Sequence, residues 1–174
     1  MASLSTGSVN FPTIVYENSA ALVADLAEKM LDSSIAPEIE IFDLSHIHAA
    51  RRLIDQKLMY ERPHVQFVMG VLNAMPAQER LLDILLAETK RVIPHATWTA
   101  AGIGRYQSQV MSWALERDAD AIRTGLEDNI RIDKERLAKS NAELVTRATD
   151  LCARYDRRPA SVREARSLLG LSCE

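Results

Sequence analysis

A dense group of polar residues stands between positions 123 and 129 of this 174-residue chain. It combines one guanidinium, two carboxylates and an amide, and we interpret it as the carboxyl end of a strand. On a strand, Arg123, Gly125 and Glu127 would share one face, and Asp128 would follow where the strand ends. Charges of this kind are costly to bury unless they are paired or bind a metal. The pattern predicts a catalytic or metal-binding site, and a structural ion pair between Arg123 and Asp128 is the alternative.

Carboxylates also alternate with apolar residues in the segment 37–43. Glu38 and Glu40 would point to one face of a strand, and Ile39 and Ile41 to the other. In a barrel of parallel strands, the isoleucines would meet the helices and Glu40 would face the axis near the active-site mouth. The alternative is an edge strand whose glutamates face solvent.

The elements that would position these groups alternate between short apolar segments and amphipathic ones. This order is typical of βαβ units and a parallel sheet. Strands are expected at 37–43, 65–70, 97–101 and 121–127, with 3–10 as a candidate fifth. Helices are expected at 19–31, 46–56, 77–90, 106–116, 140–155 and 161–168. These patterns alone are compatible with an open parallel sheet of five strands, since a complete (β/α)8 barrel typically needs about 250 residues.

Composition restricts the class of protein. Apolar residues make up 47% of the chain and charged residues 26%, with a net charge of −3, which is typical of a globular protein. No basic stripe predicts a nucleic-acid partner, and no apolar segment is long enough to predict a membrane span. The N-terminus has no pattern of a secretion signal, and Cys152 and Cys173 are not expected to pair. We therefore expect a cytoplasmic protein.

Several segments resemble the β-keto acid cleavage enzyme family. Residues 123–129 are similar to the eighth strand of the family, 4–11 to its fourth and 37–43 to its fifth, while 101–105 and 140–145 match the end of strand seven and the start of helix eight. The resemblance implies the C-terminal part, about strands 4–8, of a TIM (β/α)8 barrel that is incomplete in this chain. Residues 1–174 would then form one partial barrel domain without strands 1–3.

The resemblance also implies a reaction and a metal. A β-keto acid and acetyl-CoA would give acetoacetate and a new CoA thioester, in a retro-Claisen exchange. Zinc, the usual metal, would polarise the keto carbonyl as a Lewis acid. Glu127 corresponds to a zinc ligand of the family, whose other two ligands are a His-x-His pair on strand two.

The same resemblance assigns roles to five further residues. Asp128 corresponds to the catalytic base, and Arg123 to the residue that holds and polarises it. Glu40 corresponds to a residue that lines the substrate pocket, and Thr6 lies where the family places a hydroxyl near the substrate. Arg105 follows the seventh strand, where barrels often bind phosphate, and we expect it to contact the phosphates of CoA.

The histidines of this chain do not match the metal ligands of the family. His46 and His48 have the expected spacing, but we expect them at the start of a helix, where residues i and i+2 point about 200° apart. His64 and His95 are interpreted as loop residues. We therefore expect weak zinc binding and little or no activity from the isolated chain.

The expected partners follow from the resemblance. They are the two substrates and either further copies in a homo-oligomer or a complementing N-terminal barrel half. Two alternative functions stay open: another metal-dependent keto-acid aldolase or lyase barrel, and a non-catalytic truncated remnant.

Overall fold

The computed structural model describes residues 1–171, and Cys173 lies outside this range. Its strands are, in chain order, β1 (Ala2–Ser5), β2 (Val9–Asn10), β3 (Val15–Tyr16), β4 (Pro37–Ile41), β5 (His64–Met69), β6 (Thr97–Gly102) and β7 (Ala121–Ile122). Five of them form one sheet in the order β1-β4-β5-β6-β7, and every neighbouring pair is parallel. Strands β2 and β3 form a separate antiparallel hairpin.

The helices are α1 (Ala20–Asp32), α2 (Leu44–Asp55), α3 (Glu79–Val92), α4 (Gln107–Glu116), α5 (Asn141–Ala153) and α6 (Val162–Leu168), with a 3-10 turn at Gly104–Tyr106. Helices α1 to α4 each connect two successive strands of the five-stranded sheet. The fold is therefore mixed α/β with a parallel sheet, as the alternation of segments predicted. Within residues 1–171, no helix is long and apolar enough to cross a membrane.

Capping residues in the sequence predicted where helices α1 and α6 begin. Ser19 accepts a hydrogen bond from the backbone N–H of Leu22 and caps α1. Ser161 and Glu164 form the predicted capping box at the start of α6. Both arrangements satisfy N–H groups that have no partner inside the helix.

The two faces of the sheet differ in polarity. Ile39 and Ile41 are fully buried and pack with α1 to α4 in the main apolar core. The opposite side, here called the polar face, carries Ser3, Ser5, Glu38, Glu40, His64, Gln66, Thr97 and Thr99. Strand register places the polar side chains in rows, because Ser5 is opposite Glu40, Glu40 opposite Gln66, and Gln66 opposite Thr99. The predicted alternation along β4 is confirmed.

Two predictions about strand limits are wrong. The last strand ends at Ile122 and not at residue 127, because the chain turns: the backbone N–H groups of Asp128 and Asn129 both donate to the carbonyl of Gly125, at 3.2 and 3.1 Å. His64 is the first residue of β5 and not a loop residue, and its Nδ1 lies 2.9 Å from the hydroxyl of Thr97 on β6.

The N-terminal segment also differs in part from the prediction for residues 3–10. Strand β1 takes the edge position in the parallel sheet, but Val9 and Asn10 pair with β3. His95 lies in a turn between α3 and β6, as expected. Cys152 lies near the end of α5, which agrees with its helical pattern.

Candidate active site

The turn after β7 brings the side chain of Arg123 onto Asp128. Nε of Arg123 donates to Oδ2 of Asp128 at 2.8 Å, and Nη2 donates to Oδ1 at 2.7 Å. The carboxylate is only 3% exposed. Two parallel charge-assisted hydrogen bonds of this kind fix the orientation of both partners. The predicted pair therefore forms, although not through a shared strand face.

Two more carboxylates surround the same guanidinium. Oε1 of Glu40 lies 3.6 Å from Nη1 of Arg123, and Oε2 of Glu127 lies 3.4 Å from Nη2. Glu40 comes from β4, on the far side of two intervening strands, so the site joins distant parts of the chain. Three carboxylates surround one guanidinium, so this group of residues has an excess of negative charge. Such a group can bind a cationic ligand, and its carboxylates can accept a proton.

Burial and hydrogen bonding act in opposite directions on these groups. Burial raises the pKa of Glu40, although a hydrogen bond from the hydroxyl of Ser5 at 3.0 Å and the charge of Arg123 oppose this rise. Burial alone would lower the pKa of Arg123, but its bonds to Asp128 and the nearby carboxylates raise it overall. Ser5 was not predicted as a site residue, and its register opposite Glu40 is the signal that would have found it.

The turn is also tied to the end of the neighbouring strand. The backbone N–H of Gly104 donates to the carbonyl of Asp128 at 2.6 Å. Gly104 has a φ of +61°, a left-handed conformation that glycine adopts without strain. The 3-10 turn after β6 thus helps to hold the residue predicted to be the base.

A large cavity adjoins these residues. It has a volume of about 990 Å³ and lies between the polar face of the sheet and the C-terminal helices. Arg123, Glu127, Gln66 and Thr99 are among the residues that line it. Its volume is at the upper end of the range for small-molecule sites.

Thr6 and Arg105 lie apart from this group. The hydroxyl of Thr6 donates to the carbonyl of His46 at 2.9 Å, and Thr6 lines a separate cleft of about 550 Å³ between α1 and α2. The guanidinium of Arg105 is 4.9 Å from the centre of the Tyr106 ring, and Nη2 donates to the hydroxyl of that tyrosine at 2.7 Å. Their predicted contacts with substrate and CoA stay predictions.

The two histidines of the 46–48 pair point to different partners. Nδ1 of His46 accepts a hydrogen bond from the backbone N–H of Phe42 at 3.3 Å, and burial lowers the pKa of its imidazole. Nε2 of His48 lies 2.8 Å from Glu88 of α3. Both histidines lie near the start of α2, so the helical divergence expected for them is confirmed.

A zinc site was also expected, with Glu127 as one ligand. Within residues 1–171, no group of three or more His, Cys, Asp and Glu side chains is placed to hold a metal ion. Glu127 is 88% exposed and could give one ligand. Because catalytic zinc usually takes three protein ligands, the described residues do not fit a complete zinc site by themselves.

Comparison with known proteins extends this description. The model of the beta-keto acid cleavage enzyme family matches residues 1–171. A 3-oxoadipate:acetyl-CoA acetyltransferase of Cupriavidus necator is 50% identical over 171 residues, which cover 98% of this chain and 60% of that protein. A 3-keto-5-aminohexanoate cleavage enzyme of Fusobacterium nucleatum is 34% identical over 172 residues, covering 98% of this chain and 61% of the relative. The chain thus spans about 60% of the length of these relatives.

The fold has a counterpart among solved structures. The apo structure of ObcA superposes with a TM-score of 0.83 over 97% of this chain and 43% of that chain. Its sequence identity is 18%, so this likeness concerns the fold alone. On the match along residues 1–171 and the identity to curated relatives, the chain belongs to the β-keto acid cleavage enzyme family.

Proposed function

We propose that this chain carries the catalytic base of an enzyme that exchanges acyl groups between a β-keto acid and acetyl-CoA. The observation that carries the proposal is the pair of parallel hydrogen bonds between Arg123 and the buried Asp128, which lies near Glu40 and beside a large cavity. The printed name of the relative with 50% identity, 3-oxoadipate:acetyl-CoA acetyltransferase, supports the substrate class.

We propose further that the sheet corresponds to about strands 4–8 of a (β/α)8 barrel, so that residues 1–174 form a partial domain. Five parallel strands in chain order, with a helix between each pair, support this assignment. In such a barrel the polar face lines the interior, and Arg123, Glu127 and Asp128 follow the carboxyl end of β7, on the side where barrel enzymes place their active sites.

The chemistry assigned to Asp128 begins with the substrate. The C2–H of a β-keto acid lies between a ketone and a carboxylate, and its removal gives a carbanion that the ketone stabilises. Each oxygen of Asp128 accepts one hydrogen bond from Arg123, which leaves lone pairs for a proton. Arg123 keeps the carboxylate in one orientation, as a general base requires.

The later steps return this proton. The C2 carbanion attacks the thioester carbonyl of acetyl-CoA, and the CoA thiolate leaves. The thiolate then attacks the original ketone, and the bond from that carbon to C2 breaks. The products are a new acyl-CoA and the carbanion of acetoacetate, which takes back the proton from Asp128. Glu40, whose pKa burial raises, lies where it can hydrogen-bond a substrate oxygen once protonated.

The roles proposed for Glu127, Arg105 and Thr6 have less geometric support than those proposed for Arg123 and Asp128. Glu127 is proposed as one ligand of a divalent metal, usually zinc, with further ligands from outside the described residues. The steps above use no metal because residues 1–171 do not complete such a site. Arg105 is proposed to bind the phosphates of CoA, and Thr6 to lie near the substrate.

The test is product formation from 3-oxoadipate and other β-keto acids, with and without acetyl-CoA and zinc. Reactions are run with the chain alone and with the N-terminal two-fifths of the Cupriavidus necator relative, and acetoacetate and acyl-CoA are measured by mass spectrometry. We expect products that depend on acetyl-CoA and on the added segment, and that disappear with Asp128→Asn but not with the exposed control Asp150→Asn.

Other results would replace the proposal. Products without acetyl-CoA would indicate an aldolase or lyase. Products and stoichiometric zinc in the chain alone would overturn the expectation that it needs a complement. An absence of products from every mixture would favour a non-catalytic remnant.

A further inference from the structure

The turn from 123 to 129 is held by side chains of two helices that were not assigned to the site. Gln107, the first residue of α4, is 2% exposed. Its Nε2 donates to the carbonyl of Gly125 at 3.0 Å, and its Oε1 accepts from the hydroxyl of Thr124 at 2.9 Å. The whole amide of Gln107 is therefore bonded to two successive residues of the turn.

A second side chain holds the next residue. Oδ1 of Asn141, the first residue of α5, accepts a hydrogen bond from the backbone N–H of Leu126 at 2.8 Å. Asn141 is the second residue of the segment 140–145, which the sequence singled out but the proposed chemistry does not use. Three successive turn residues, 124 to 126, are thus bonded to side chains from outside the turn.

One of these bonds, from Gln107, reaches the carbonyl that closes the turn. The carbonyl of Gly125 accepts from Nε2 of Gln107 and also from the backbone N–H groups of Asp128 and Asn129. The last two bonds turn the chain back, so that the carboxylate of Asp128 meets Arg123. A shift of this carbonyl would move Asp128 relative to the guanidinium.

We propose that Gln107 and Asn141 are positioning residues, which hold the turn so that Arg123 and Asp128 keep their two parallel hydrogen bonds. They do not touch the reacting atoms in this assignment. The inference rests on the proposed function for the purpose of the turn, but the hold on the turn itself can be measured without turnover. Each bond has a separate donor or acceptor that substitution can remove.

The experiment follows the Nε–H of Arg123 by ¹⁵N–¹H spectroscopy, with Arg123→Lys to assign the signal. Its exchange with solvent reports the bond to Asp128. Gln107→Leu removes both hydrogen bonds of the amide and replaces the glutamine by an apolar side chain of similar size. Asn141→Ala removes the acceptor for Leu126, whereas Asn141→Asp keeps an acceptor oxygen at the same place.

We expect Nε–H exchange to rise about tenfold in Gln107→Leu and in Asn141→Ala, because each loses a hydrogen bond that holds the turn. Asn141→Asp keeps exchange slow, because its carboxylate still accepts from the backbone N–H of Leu126, and an aspartate at the start of a helix is also favourable for the helix dipole. Gln109→Leu, at an exposed position of the same helix, is the matched control and leaves exchange unchanged.

Unchanged Arg123 exchange in both Gln107→Leu and Asn141→Ala would overturn the proposal, as would an equal rise in exchange at amides throughout the sheet. Asn141 is exposed, so its variants remain informative if Gln107→Leu does not fold. In an active mixture, a fall in kcat with little change in KM for the two variants supports the role. Absence of turnover in every mixture with the unsubstituted protein refutes the proposed function, while the exchange data still decide the positioning role.

Discussion

Replacing Asp128 by asparagine keeps the size of the side chain but removes its charge. The guanidinium of Arg123 then loses the carboxylate that accepts its bonds at 2.8 and 2.7 Å. Removing one partner of a buried ion pair costs about 3–5 kcal/mol. Arg123 is 24% exposed and keeps Glu40 at 3.6 Å and Glu127 at 3.4 Å. The expected loss is therefore below this range, about 2–3 kcal/mol of the free energy of unfolding.

The assay is urea unfolding of the unsubstituted chain, Asp128→Asn, Arg123→Gln and the double variant. A coupling energy between the two positions of about 1–3 kcal/mol is expected, because the residues contact each other directly. The reasoning would be refuted if Asp128→Asn changed stability by less than about 0.5 kcal/mol, the range of an ordinary surface substitution. In that case Arg123 and Asp128 would not form a buried ion pair in solution.

A Cβ on Gly7 would lie 2.5 Å from Nε2 of His46. Gly7→Ala should therefore cost about 1–3 kcal/mol in urea unfolding, and the cost should be smaller in a His46→Ala background. Burial lowers the pKa of His46 and His64 from 6.5, so the unfolded chain binds protons more readily than the folded one just below that pH. Their contribution to stability should be complete above pH 6.5 and fall as the pH drops through the lowered pKa values, and glutamine at both positions should flatten this profile. Ser161→Ala should remove the cap of α6 at a cost of about 1 kcal/mol, detectable by circular dichroism, whereas Ser167→Ala within the same helix should leave stability unchanged.

Features set by neighbouring residues could be predicted from the sequence. The alternation of Glu38 to Ile41 places side chains on two faces because a strand has a period of two residues. The capping box of α6 depends on two residues three positions apart. In both cases the deciding contacts are local, so no knowledge of the distant chain was needed.

The turn at 123–129 could not be predicted in the same way. Its backbone partners, Gln107, Asn141 and Gly104, lie 15 to 24 positions away from the residues they bond. Arg123, Gly125 and Glu127 are spaced at i, i+2 and i+4, as on one face of a strand, so an extended chain was expected. His64 was misjudged because it precedes the strand expected at 65–70, whereas its hydrogen bond to Thr97 depends on the register of β5 and β6.

Side-chain direction in β4 and β5 follows the parity of the residue number. Odd-numbered positions, such as 39, 41, 65 and 67, pack against the helices, and even-numbered positions, such as 38, 40, 64 and 66, belong to the polar face. A variant library restricted to the even positions would therefore sample new linings of the cavity while leaving the helix contacts intact. Substitutions that change ligand preference should therefore fall at every second position of these strands, and the positions between them should stay constant.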